Sequence, residues 1–177
     1  MRLIAIGKSS ASAPESELLR RYAARIKPTF SLVELQDGYG NPAEIKRREA
    51  LAILNTIKAD EFVIALDSGG AAPDSPELAK LLTKWSEQGK KLAFVIGGAE
   101  GLDAAVISRA GARLSLGNLT WPHMLVRPML AEQIYRAQTI AAGHPYHRAG
   151  RPRACKNAPP LGKAGPNCLL IPTISRH

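Results

Sequence analysis

Residues 92–96, Leu-Ala-Phe-Val-Ile, form an unbroken apolar run that stops at Gly97-Gly98-Ala99-Glu100-Gly101. A run without polar alternation is apolar on both faces. It therefore reads as a buried parallel strand whose carboxyl end opens into a tight, backbone-lined loop. Ligands of open α/β sheets collect at such strand ends. Phosphate-binding glycine loops present bare amides, often beside a lysine, whereas this loop carries the Glu100 carboxylate, which would repel a polyphosphate. A ligand without phosphate and with some positive charge fits better. A glycine turn with only a structural job is the alternative.

The chain up to about residue 142 alternates strand and helix. Strands are expected at 3–7, 30–35, 62–66, 92–96 and 112–116, and helices at 14–26, 42–58, 76–88 and 125–142, with a shorter turn after Leu102. Three helix starts share a proline in the first turn beside a small or polar cap: Pro14 after Ala13, Pro42 after Asn41, Pro76 after Ser75. Proline lacks the amide that a helix start leaves unpaired. Asn41 and Glu44 have the spacing of a capping box. The pattern implies an α/β fold, a parallel sheet flanked by helices. In the last helix Val126, Leu130, Ile134, Ala137 and Ala141 make one stripe, and Leu125 with Met129 widen it. Such width suits burial on more than one side, against a second subunit or under a well-covered core.

A chain of 177 residues, 45% apolar and 22% charged, suits one soluble domain. No apolar stretch approaches the roughly 18 residues that cross a bilayer. The opening Met1–Gly7 run is too brief for a signal peptide, so a cytoplasmic location is expected. Of the net charge of +9, residues 151–177 carry +5 and no acid, leaving +4 on the remaining 150. A basic body points to an anionic macromolecule such as RNA, or to a basic protein with no such partner. Residues 149–177, rich in proline and glycine without period, are expected to form a disordered basic extension to a domain at 1–148. Both cysteines, Cys155 and Cys168, fall there and are expected to be free thiols.

Three segments end strands and carry turn chemistry: Leu66-Asp67-Ser68-Gly69-Gly70, the Gly97–Gly101 loop, and Leu116-Gly117-Asn118-Leu119-Thr120-Trp121-Pro122-His123. Converged, they would offer backbone groups between the apolar walls of Leu66, Leu119 and Trp121, which suits a flat heterocycle. His144 and His147 sit three apart, but Pro145 keeps both imidazoles off one helical face and no carboxylate completes a metal site. No metal is expected. Arg148 for phosphate, Tyr146 for stacking and the histidines for hydrogen bonding fit nucleic acid better.

The motifs LDSGG at 66–70, IGGAEG at 96–101, LTWPHMLVRPMLAEQIYRA at 119–137 and HPYHR at 144–148, in this order, resemble the SPOUT-class methyltransferases that modify N3 of pseudouridine in large-subunit ribosomal RNA (the RlmH, or YbeA, family). The opening LIAIGK and the NPAEIKRRE helix fit as well, so the resemblance spans residues 1 to about 148. It implies a carboxyl-terminal trefoil knot, a topology no sequence pattern could suggest because true knots are nearly absent from proteins. It also implies a homodimer and S-adenosylmethionine as cofactor, bound by Leu66, Gly97, Leu116, Gly117, Asn118, Leu119, Thr120 and Trp121. The substrate it implies is large-subunit rRNA, free or in the assembled ribosome. Members of that family stop just after HPYHR, whereas this chain continues for 29 residues beyond Arg148.

The expected chemistry is displacement at a methyl carbon by a ring nitrogen, which needs alignment of the two and an outlet for the nitrogen's proton. His147 or His123 is the candidate base, since imidazole titrates near neutrality. Tyr146 is a further active-site candidate. His144, Tyr146 and Arg148 are candidate RNA contacts, with Arg127 and Arg136 weaker because helix arginines are more often solvated or dimer-contact residues. A non-catalytic RNA-binding assembly factor on the same fold is the alternative.

Overall fold

The apolar run at 92–96 lies in the middle of a five-stranded parallel sheet. The computed structural model describes residues 1–144 and residue 146. Strand β4 (Lys91–Ile96) sits between β1 (Arg2–Ile6) and β3 (Glu61–Ala71), with β2 (Ser31–Leu35) and β5 (Ala112–Leu114) at the edges, in the order β2-β1-β4-β3-β5. Every pairing is parallel.

Side chains alternate between two layers, as strand geometry requires. Leu3, Ala5, Ile64, Phe94 and Ile96 pack with α1 (Pro14–Ala23), α3 (Ser75–Ser86) and α5 (His123–Ala141). Ile4, Ile6, Val63, Ala65 and Val95 pack with α2 (Pro42–Thr56) and α4 (Ala104–Arg109). Helix α5 lies against both α1 and α3. Leu130, Ile134 and Ala137 of its expected stripe are buried, whereas Leu125 on the second flank stays 45% exposed.

Three local readings change. Helix α3 is capped by Asp74 rather than Ser75: its carboxylate accepts the Glu77 N–H at 2.9 Å, and Glu77 accepts the Asp74 N–H in return. Helix α5 begins two residues before the expected start, at His123. Strand β3 does not stop at a glycine turn after Leu66. It runs to Ala71 through a bulge, with both Leu66 and Ala71 opposite Leu114 of β5. Glycine is required here by proximity, because a Cβ on Gly70 would lie 2.7 Å from the Leu114 nitrogen.

At the amino ends of the strands, Arg2 donates to both oxygens of the buried Glu61 at 2.6 and 2.7 Å, and to the Thr56 carbonyl at 3.0 Å. The clamp joins β1, β3 and the end of α2. Burial pushes the Glu61 carboxyl upward, but the Arg2 guanidinium and the Lys58 amide outweigh it and hold it below the usual range. A depressed carboxylate contributes stability above its unfolded value of about 4.3 and loses it as pH falls through the folded value. Urea midpoints of the parent should therefore fall below about pH 4 more steeply than those of Arg2→Met, in which this contribution is missing.

Candidate cofactor cleft

Strands β4, β3 and β5 are consecutive neighbours, so the three glycine-containing segments that follow their apolar cores meet at one end of the sheet. They enclose a cleft of about 690 Å³. Leu66, Gly97, Leu116, Gly117, Leu119, Thr120 and Trp121 line it, together with Asp67, Glu100 and His123. Asn118, expected among them, is exposed and outside the wall, because the chain turns at Gly117 (φ +117°). That φ favours glycine, and Ser115 shapes the turn by donating its hydroxyl to the Gly117 carbonyl at 2.8 Å. Leu119 and Trp121 remain 70% and 39% exposed, leaving apolar surface at the mouth.

The loop after β4 is packed by the protein itself. A Cβ on Gly97 would lie 2.9 Å from the carbonyl carbon of Gly101, so this glycine lets the loop close on itself. A Cβ on Gly98 would lie 2.7 Å from a carboxylate oxygen of Glu49, which reaches the loop from α2. On the opposite wall Asp67 accepts from Arg113 and, at 2.9 Å, from the Gly69 N–H. The Arg113 hydrogen bond is the main reason its carboxyl is held below the usual range.

His123 lines the cleft at the first turn of α5, and its Nε2 lies 3.2 Å from the site a Cβ would take on Gly7. Arg127, one turn later, is not an RNA contact in this arrangement. Its side chain is 2% exposed, with one amino group on Glu34 at 2.7 Å and the other on the carbonyls of Ile6 and Gly7 at 2.7 and 2.8 Å. The charge that a phosphate would need is enclosed by the carboxyl ends of β1 and β2. Glu34 also accepts the Ser9 amide and hydroxyl at 2.8 and 2.6 Å. Burial alone would raise its carboxyl, but these donors and Arg127 hold it below the usual range.

His144 and Tyr146 lie at the other end of α5. His144 is exposed, its Nδ1 accepting the Tyr146 amide at 3.3 Å. The Tyr146 hydroxyl donates to Glu132 at 3.2 Å, its ring meets Tyr135 edge-on at 5.0 Å, and the Arg136 guanidinium lies 5.1 Å from the ring centre. Burial, then its contacts with Tyr22 and Glu132, push the phenol up to about 12. A phenol there keeps its proton at neutral pH, so Tyr146 offers a hydroxyl donor and not a base. His147, Arg148 and the segment 149–177, with Cys155 and Cys168, lie outside the described residues. Among the described residues no group of three or more His, Cys, Asp or Glu could hold a metal ion, and no helix is long and apolar enough to cross a membrane.

A family model described as "Predicted SPOUT methyltransferase" matches residues 1–147. The chain belongs to the SPOUT methyltransferase family. Three similar proteins are each named "Ribosomal RNA large subunit methyltransferase H". The one from Acidiphilium cryptum is 62% identical over 152 residues, covering 86% of this chain and 96% of its own length. That from Gluconacetobacter diazotrophicus is 53% identical over 86% of this chain and 99% of its own. That from Rhizobium etli is 44% identical over 82% and 97%.

In this SPOUT chain Glu49 escaped sequence reasoning because it sits in the charged stretch Lys46-Arg47-Arg48-Glu49. The available signal was its spacing: it lies four residues from both Ile45 and Ile53, on an otherwise apolar helical face. For Arg127 the buried network sets the expectation. Arg127→Met should lower unfolding free energy by about 1–3 kcal/mol, because it removes the donor to the Ile6 and Gly7 carbonyls while Glu34 keeps its Ser9 hydrogen bonds, and urea denaturation measures this.

Proposed function

We propose that the chain is an S-adenosylmethionine-dependent methyltransferase that methylates N3 of a pseudouridine in large-subunit rRNA. The observation that carries the reading is the convergence of three strand-end loops on one cleft, with apolar walls and Glu100 on the glycine loop. The names and high identity of the relatives support the rRNA substrate. Action on ribosomal RNA implies the cytoplasm.

The residues present suit this cofactor. Leu66, Leu119 and Trp121 can cover a heterocycle, the Gly97–Gly101 backbone can meet its edge, and Glu100 tolerates a cation where it would repel phosphate. When bound, the cofactor supplies a sulfonium methyl group. The chain's part is to hold the nucleophilic nitrogen in line with that methyl, exclude water and accommodate the departing proton. His123, on the cleft wall with Asp67 and Glu100, is our candidate to take that proton. The family resemblance implies a carboxyl-terminal trefoil knot.

A homodimer completes the reading. Helix α5 has 19 residues and is about 28 Å long, so it separates His123 from the His144 motif of the same chain. A motif that contacts the target base at the cleft would therefore come from a second copy. Leu119, Trp121 and Leu125, all exposed near the cleft, supply apolar surface for that copy to cover. Residues 149–177 read as a basic extension outside the methyltransferase domain.

Calorimetric titration of the full chain with S-adenosylmethionine should saturate, and Trp121→Ala should weaken binding about tenfold through lost aromatic contact. Single-turnover methylation of ribosomes, with mass mapping of the modified nucleoside, tests the reaction. Cofactor-independent RNA binding with no methyl transfer would instead support the assembly-factor alternative. Truncation after Gly143 should abolish turnover but keep cofactor affinity. Truncation after Arg148 should keep turnover and reduce only salt-sensitive RNA affinity, because it removes five basic residues.

A further inference from the structure

Glu49 is a buried charged side chain that neither the fold nor the cleft wall accounts for. It is 3% exposed on α2, and one carboxylate oxygen accepts the Gly38 N–H at 3.1 Å. The other oxygen is buried without a hydrogen-bond partner, and no salt bridge reaches Glu49 among the described residues. Arg2–Glu61 and Arg127–Glu34, by contrast, bring each buried member a partner of opposite charge.

The position of this carboxylate points to its role. Both oxygens lie 2.7–2.8 Å from the site a Cβ would occupy on Gly98, so the group packs directly against the loop backbone. Gly98 lines the cleft and Glu49 does not. The loop is thus a single layer of backbone with the cleft on one side and an unpaired negative charge behind it. Gly98 has no positive φ, so its backbone conformation does not call for glycine; the close approach of Glu49 does.

An unpaired carboxylate excluded from water destabilises a fold, and its field is weakly screened there. The reacting cofactor differs from its product by one charge: a sulfonium becomes a neutral thioether when the methyl leaves. Resting on the S-adenosylmethionine reading above, we propose that Glu49, acting through Gly98, is a specificity-determining residue that makes the cleft favour the cationic cofactor over its neutral product. This goes beyond packing, because a brace for the loop would affect both ligands alike.

Glu49→Gln keeps the shape and the acceptor for Gly38 while removing the charge. Titration calorimetry of the full chain with S-adenosylmethionine and with S-adenosylhomocysteine gives the ratio of their affinities, and thermal denaturation without ligand gives the stability. In Glu49→Gln the ratio should shift about tenfold against the cation, with product affinity nearly unchanged and a melting temperature equal to or above the parent's. Glu49→Asp, which retains the charge, should keep most of the parent ratio. Equal weakening of both ligands, an unchanged ratio, or failure of Glu49→Gln to fold would each overturn the proposal. A parent that binds neither ligand would overturn the cofactor reading itself.

Discussion

The guanidinium of Arg127 is the contact on which the geometry of the cleft depends. It reaches across from the first turns of α5 to Glu34 at the end of β2 and to the Ile6 and Gly7 carbonyls at the end of β1. Strand-end carbonyls need donors once buried, and a planar fork serves several at once. Pinning α5 there holds the helix whose first turn carries His123 on the cleft wall. Arg127, a weaker candidate for RNA contact by sequence, instead joins the last helix to the first two strands.

Arg2–Glu61 does related work at the opposite end, joining the starts of β1 and β3 to the end of α2. A parallel sheet leaves its strand ends in two separate layers of loops, and in each layer, among the described residues, one ion pair has a fully buried member. The cleft end also carries the exception. Glu49 lies buried beside the loop with no ion-pair partner among the described residues, and a Cβ on Gly98 would collide with that carboxylate. The glycine pattern of the loop thus records the protein's own packing: Gly97 meets Gly101, Gly98 meets Glu49, and only Gly101, at φ +74°, is a conformational requirement with open space around it.

Much of this was legible in the residues. The apolar run 92–96 became the central strand, the Asn41–Glu44 spacing became a capping box with both hydrogen bonds formed, and the three turn-bearing segments line one cleft. The misreadings have two different causes. At Gly69–Gly70 local turn propensity suggested that β3 ends, yet pairing with β5 carries the strand on to Ala71 through a bulge. At Ser75 the residue before a proline looked like the cap, but Asp74 reaches the Glu77 amide. The β3 extension was decided by a partner strand that local pattern does not specify, whereas the Asp74–Glu77 spacing, the same as Asn41–Glu44, carried the cap in the sequence itself.

Periodicity and turn chemistry act over a few residues, so sequence alone determined the existence and order of the five strands and of the main helices, and the proline-led starts of α1 and α2. It also determined the family, because four motifs in order are more specific than any one of them. Which charges are enclosed was decided only by the tertiary structure. Arg127 is 93 positions from Glu34, and Glu49 is 49 from Gly98. Burial, pairing and the loss of solvent screening are properties of what surrounds a group in space. An arginine on a helix therefore reads the same in sequence whether it faces phosphate or the core. The separation of the cleft from the His144 motif likewise comes from the rigid length of α5, a distance that exists only once the helix is formed and docked.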